Sequence, residues 1–183
     1  MMYRMFLRAQ TQQKQKLILP SSTVMRVIAI DPGYDRLGVA VLESQNQKEV
    51  VLFSTCIETD RNNTVSERLH SIGILITQII QDYQPDSMAI ETLFFNKNIK
   101  TGISVAQARG VLVYIAAQAG CTIYEFGPQE IKVAVTGHGN SSKQAVQSMV
   151  QRLVANVPDS ALDDEYDAIA VGVTCLAHHG RNR

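Results

Sequence analysis

Arg26-Val-Ile-Ala-Ile-Asp31-Pro-Gly33-Tyr-Asp-Arg-Leu-Gly38-Val-Ala-Val-Leu42 reads as a strand, a tight turn and a second strand. Val27 to Ile30 is a continuous apolar run, the pattern of a strand covered on both faces, and it stops at a carboxylate followed by Pro and Gly. Asp31 therefore stands where buried strand meets solvent. An ionised carboxylate buried without a partner costs on the order of several kcal/mol, and the strand shows no obligatory basic neighbour. A bound cation would answer that cost. An Asp that caps its own turn through Asx chemistry is the bland alternative, and this stretch alone does not separate the two.

Further along the chain, Val50-Val-Leu-Phe-Ser-Thr-Cys-Ile57 reads as a third strand, joined to the second through the polar turn at Gln45 to Lys48, so three antiparallel strands follow one another. Asn62-Asn-Thr64 supplies helix-start residues, and Val65, Leu69, Ile72, Ile76, Ile79 and Tyr83 recur at helical spacing until Pro85. Ser87-Met-Ala-Ile-Glu91 is then a second short apolar strand that ends in a carboxylate. The helix between is long enough to run the Asp31 and Glu91 strands parallel, which brings both acids to the same edge of the sheet.

Thr101 to Ala119 reads as a long helix with Ile103, Val105, Leu112, Ile115 and Ala116 apolar and Gly120 as terminator. Its small residues Gly102, Ala106 and Gly110 fall four apart, a row that suits either a subunit interface or close packing on the chain's own sheet. Cys121 to Phe126 makes a fifth strand. Pro128 suits the first turn of a short helix holding Lys132, and Ser141-Ser-Lys-Gln144 has capping-box spacing for a helix running to Val154. Between those helices lies the flexible loop Thr136-Gly-His-Gly-Asn140, whose His138 reads as a surface residue.

Leu162-Asp-Asp-Glu-Tyr-Asp167-Ala-Ile-Ala-Val-Gly-Val-Thr-Cys-Leu176 is acidic and then apolar. Acids in a first turn suit a helix N-terminus, which accounts for Asp163, Asp164 and Glu165 without function. Asp167 lies a turn further in, and Asp164, three residues before it, projects from the same side. Asp163, four before it, shares that side too, so which of the two joins Asp167 stays open. If this side packs beside the first and fourth strands, Asp31, Glu91, Asp164 and Asp167 meet. Four carboxylates raise one another's pKa values and need compensation. Oxygen-only ligands favour Mg²⁺ or Mn²⁺, and a pair of ions about 3.5 to 4 Å apart activates water at phosphorus, so phosphodiester hydrolysis is chemistry these residues can perform.

The 183 residues suit one domain, and 45% hydrophobic with 19% charged residues is ordinary for a globular fold. No apolar run approaches the length that spans a bilayer. Cys56, Cys121 and Cys175 are odd in number, far apart and set among apolar residues, as reduced core thiols of a cytoplasmic protein are. Formal net charge is zero, but its distribution is uneven. Met25 to Glu91 holds ten acids against five bases, whereas Thr92 to Pro158 holds only Glu125 and Glu130 against Lys97, Lys100, Arg109, Lys132, Lys143 and Arg152. That basic middle segment is either a polyanion-binding face or a set of ordinary solvated helix faces. Residues 1–24 carry Arg4, Arg8, Lys14 and Lys16 and no acid, and they read as a disordered or non-native extension rather than a transit peptide, leaving 25–180 as the folded domain.

As a whole, the chain resembles the RuvC-type Holliday-junction resolvases. Ile30-Asp-Pro-Gly33 with Gly38, Gln84-Pro-Asp-Ser-Met-Ala-Ile-Glu91, Asn96-Lys-Asn98, Gln107-Ala-Arg-Gly110 and Asp164-x-x-Asp167-Ala-Ile-Ala170 follow that family's order from about Met25 to about His178. The resemblance implies an α/β ribonuclease-H-like fold, with a five-stranded mixed sheet of three antiparallel and then two parallel strands flanked by helices. It implies a homodimer that makes paired nicks in four-way junction DNA with Mg²⁺, during recombination and repair, with the RuvA–RuvB branch-migration proteins as natural partners. By position, Asp31, Glu91, Asp164 and Asp167 match the family's catalytic and metal-binding acids. Lys132 and Lys143 match basic residues that support DNA contact and cleavage. Phe94 matches an aromatic that stacks near the junction centre, and Lys97 stands with it as a DNA contact.

Two other classes compete. The Asp-x-Gly hairpin also resembles the first phosphate loop of the actin and sugar-kinase ATPases, but those need a second domain and further Gly-rich loops for which this chain has no room. A related nuclease acting on RNA or RNA/DNA hybrid, or a junction-binding protein without activity, shares the fold class; the complete acid set speaks against inactivity.

Overall fold

The computed structural model describes residues 24–46, 48–93 and 99–180, with only the backbone described at 99–101. Phe94 and Lys97, as well as most of the 1–24 extension, lie outside the described residues. Strand β1 (Arg26–Asp31) pairs antiparallel with β2 (Arg36–Gln45), and β2 pairs antiparallel with β3 (Lys48–Glu58). Helix α1 (Val65–Tyr83) then crosses over to β4 (Ser87–Glu91), which lies parallel to β1. Helix α2 (Ile99–Gln118) leads to β5 (Thr122–Phe126), parallel to β4, so the sheet order is β3-β2-β1-β4-β5. Three helices complete the chain: α3 (Pro128–Thr136), α4 (Lys143–Leu153) and α5 (Asp163–His179). The expected ribonuclease-H-like arrangement of three antiparallel and two parallel strands is the one observed.

Helices cover both faces, and the period of two along each strand decides which side chain goes where. Ile28 and Ile30 of β1, Val39 and Val41 of β2, and Met88 and Ile90 of β4 pack with Ile72, Ile76 and Ile79 of α1 and with Ala108, Leu112 and Ala116 of α2. Val27, Ala29, Ala40, Leu42 and Ala89 point the other way, against Ile169 and Val173 of α5 and Val146 and Val150 of α4. By that alternation Asp31, Gly38 and Glu91 all belong to the α5 face. Gly38 is required there, because a Cβ would run into the backbone carbonyl of Asp164. Close approach of α5 to the sheet recurs at Gly172, where an added Cβ would stand 2.5 Å from a Leu42 methyl.

Local signals set the helix ends. Thr64 caps α1 in a reciprocal box with Glu67, whose carboxylate accepts the Thr64 N–H at 2.8 Å, and Gln84 closes the helix in the left-handed region just before Pro85. Pro128 opens α3, and Gly137 ends it at a positive φ. The expected cap of α4 moves by one residue. Ser142, not Ser141, accepts the Ala145 N–H, while the Ser141 hydroxyl is hydrogen-bonded to that of Thr136 at 2.7 Å.

Helix α2 buries only part of its apolar surface. Ala108, Leu112 and Ala116 are fully buried, whereas Ile103 is 55% exposed and Tyr114 66% exposed. Ala106 and Gly110 are exposed on the same outward side, so the small-residue row does not pack on the chain's own sheet. All three cysteines are free, with Cys121 and Cys175 buried, but Cys56 is only half-buried and faces the acidic end of α5 rather than the core. No helix of the described residues is long and apolar enough to cross a membrane.

Candidate active site

Asp31 and Glu91 end the two parallel strands at the sheet's centre, one residue beyond the paired Ile30 and Ile90. The turn that follows Asp31 is held from outside by α1. Arg68, buried there, lies with its guanidinium 3.7 Å over the Tyr34 ring and donates to the Tyr34 carbonyl, to Asp35 Oδ1 at 2.5 Å and to Thr59 Oγ1. Arg61 adds a 2.9 Å contact to the other Asp35 oxygen. The clamp fixes the chain between Asp31 and Arg36, and nothing in the hydrophobic pattern announces it.

Helix α5 delivers the other two acids. Its first turn is built on Glu165, which accepts the Leu162 N–H at 3.1 Å and the Ser54 hydroxyl at 2.6 Å, so Glu165 has a structural post. Asp164 lies over Gly38 and Asp167 one turn further on. Asp163 is turned toward α4, accepting from Gln147 at 2.9 Å with Lys143 at 3.6 Å, and it is not among the charges that act on Asp31. Of the two neighbouring acids, Asp164 is thus the one turned toward the strand ends.

Three carboxylates stand near enough to act on Asp31. Burial, then the charges of Glu91, Asp167 and Asp164, push the Asp31 carboxyl up to about 7, with Lys143 opposing. Burial and the charge of Asp167 also raise Glu91, while a hydrogen bond from Asp31 and the charge of Lys132 pull it back down. Asp31, in its protonated form, donates to Glu91, so the raised carboxyls are those at the two strand ends. At the two α5 acids, cations from the protein intervene: Lys143 Nζ donates to Asp167 at 2.8 Å, and Arg36 Nη2 stands 2.5 Å from Asp164 Oδ2, the oxygen that Cys56 Sγ approaches at 3.8 Å.

The donors suit a hard divalent ion, since all four are carboxylates and the burial-raised Asp31 records an unmet need for positive charge. As they stand, however, no three carboxylate, imidazole or thiol groups among the described residues come close enough to hold one ion. Asp164 is paired with Arg36, and Asp167 with Lys143. Of the expected DNA contacts, Lys143 is at the site, and Lys132 is near enough for its charge to act on Glu91. Arg36 belongs to none of the sequence motifs. Its signal is the β2 register: Asp31 pairs with Gly38, so Arg36 overhangs the strand end beside the acids.

A sequence profile described as "Crossover junction endodeoxyribonuclease RuvC" matches residues 27–175. The chain belongs to the RuvC family. RuvC of Thermosipho melanesiensis is 41% identical over 153 residues, which cover 84% of this chain and 97% of that one. Among solved structures, Thermus thermophilus RuvC superposes with a TM-score of 0.77 at 28% identity, covering 85% of this chain and 97% of that chain. The same RuvC in complex with Holliday junction substrate also matches with a TM-score of 0.77 at 28% identity, covering 82% and 92%. The RuvC profile spans both acid-tipped strands and all of α5 up to Cys175, so every acid of the cluster falls within it. RuvC membership leaves the sugar-kinase reading of the Asp31 hairpin without support.

Proposed function

We propose that this protein is a structure-selective endodeoxyribonuclease that resolves four-way DNA junctions by paired, metal-dependent phosphodiester hydrolysis, with 25–180 as its nuclease domain. The observation that carries the proposal is that Asp31 and Glu91 end neighbouring parallel strands while the helix bearing Asp164 and Asp167 packs over the same strand end, close enough for both of its acids to act on Asp31. Support comes from its RuvC relatives, one of them solved with a Holliday junction substrate. The RNA/DNA-hybrid alternative has no relative among these to favour it.

Asp31 and Glu91 form the floor of the site, and Asp164 and Asp167 its open side. These four would hold two Mg²⁺ ions, with Mn²⁺ able to substitute; when bound, the ions supply an activated water and stabilise the leaving oxygen at phosphorus. Asp31 and Glu91 must lose their shared proton for that, which favours turnover above neutral pH. Lys143 and Lys132 bring positive charge to the rim, where a phosphodiester backbone would approach. Phe94 and Lys97 keep the DNA-contact roles that the family pattern gives them. Three free cysteines agree with a reducing, cytoplasmic setting, where RuvA and RuvB are the expected partners.

Paired nicking needs two active sites. The outward face of α2, where Ile103, Ala106, Gly110 and Tyr114 follow one another at helical spacing, fits a second copy of this chain. Tyr114→Asp is expected to convert a dimer of about 40 kDa, twice the chain mass of 20.2 kDa, to monomer in light scattering. A dimer that persists in this variant would move the interface elsewhere.

Junction binding in Ca²⁺, an ion of looser geometry, should weaken linearly in log affinity against log salt, by about 0.9 per phosphate neutralised. Lys143→Gln should reduce that slope by about one for each protomer. A flat dependence would remove the basic rim from the account. Cleavage assays with junction, linear duplex and RNA/DNA hybrid test the proposal as a whole. Junction cutting alone is expected, and preferential cutting of the hybrid would overturn it.

A further inference from the structure

The contact between Arg36 and Asp164 places a fixed positive charge on a carboxylate that the proposed function needs for a metal ion. Arg36 is the first residue of β2, and β-sheet register sets it opposite Glu58, whose Oε1 stands 3.8 Å from Arg36 Nε. Its Nη2 reaches Asp164 Oδ2 at 2.5 Å. The pair is open to solvent, with 45% of the Arg36 side chain and 25% of Asp164 exposed, so an arriving ligand can reach either partner. On the opposite flank Lys143 occupies Asp167 in the same way. The two outward acids are thus each engaged by a protein cation, and no three metal-binding groups among the described residues stand together.

Resting on the metal-dependent nuclease reading, we propose that Arg36 is a positioning residue that couples cation binding to DNA binding. In the DNA-free protein its guanidinium holds Asp164 as a counter-ion and opposes a divalent cation through competition for the carboxylate and through like-charge repulsion. A DNA phosphodiester offers the guanidinium fork another anion of matching geometry. Arg36 transferred to phosphate releases Asp164 to the cation. Occupancy of the site by metal and by DNA then rise together, and linkage makes the effect reciprocal: each tightens the other by the same factor. The arrangement keeps the full metal complement from assembling before a substrate backbone is in place.

The test is calorimetric titration of the full-length protein with Mn²⁺, alone and with a saturating uncleavable phosphorothioate four-way junction, for wild type, Arg36→Gln and Arg36→Lys. Arg36→Gln is expected to bind Mn²⁺ about threefold to tenfold more tightly than wild type without DNA, the range for a partly exposed ion pair. It should also lose a corresponding part of the tightening that the junction brings, whereas Arg36→Lys, which keeps the charge and loses the fork, falls between wild type and Arg36→Gln. Unchanged or weaker Mn²⁺ binding by Arg36→Gln, or undiminished tightening by DNA, overturns the inference while leaving the metal site intact. Saturable binding that survives Asp31→Asn at full strength, or no saturable binding by any of the proteins, overturns the metal-site reading and this inference with it.

Discussion

Asp31→Asn is expected to lower junction cleavage in Mg²⁺ by on the order of a thousandfold or more, the scale on which enzymes lose rate when a charge placed for the transition state is removed. Binding of the junction should change by less than about threefold, because Asp31 is on the floor of the site and the basic rim makes the DNA contacts. The substitution keeps shape. An Asn amide can still donate to Glu91, as protonated Asp31 does, and the apolar strand that carries it is untouched. Retained nicking by the variant would remove Asp31 from the metal site. Loss of both cleavage and binding would instead indicate a folding defect, which circular dichroism would reveal.

The same variant should be more stable than the wild type in metal-free solution, and only over one range of pH. Asp31 has a folded pKa of about 7 against an ordinary value of 3.8, chiefly because it is buried and then because of its acidic neighbours. A raised carboxyl pKa means that between those values the native protein keeps a proton that the unfolded chain has released. Stability is therefore full below about pH 4 and falls as pH rises toward 7, after which the penalty stays constant. At about 1.4 kcal/mol per unit, the ionised site costs up to about 4 kcal/mol, and a share of this is returned as neighbouring groups readjust. With chelator at pH 8, Asp31→Asn should melt several degrees higher, since about 1 kcal/mol moves the midpoint by about 2–4 °C at this size. At pH 4 the two proteins should melt together. Mg²⁺ should raise the wild-type midpoint and leave the variant's nearly unchanged. Equal melting of the two at pH 8 in chelator would mean that Asp31 carries no such strain.

What the sequence shows most clearly is the central pair of strands. Val27 to Ile30 and Met88 to Ile90 are unbroken apolar runs, each stopped by an acid, and a period of two is enough to put Asp31 and Glu91 on one face. Helix ends with strong local chemistry, such as Thr64 with Glu67 and Pro128, are equally legible. Choices settled by tertiary contact are not. Ser141 and Ser142 are both competent caps, and the Thr136 hydroxyl decides between them by engaging Ser141. Ile103 looks like core by its spacing in α2, yet the sheet reaches only the Ala108–Leu112–Ala116 stripe. Asp163 and Asp164 share a side with Asp167 at separations of four and three, and the approach of α5 to Gly38 is what turns Asp164 inward. Arg36 and Lys143 come from β2 and α4, and their pairing with α5 acids is visible only when the three elements are packed.

The most direct measurement is cleavage of a four-way junction in Mg²⁺ with each of its four strands end-labelled in turn, wild type beside Asp31→Asn, and linear duplex and RNA/DNA hybrid as comparison substrates. Symmetric nicks confined to two strands of like polarity, absent from the duplex and hybrid and lost in the variant, are the predicted result. Nicks in the hybrid at equal or greater rate, or junction nicks that persist in Asp31→Asn, would contradict it.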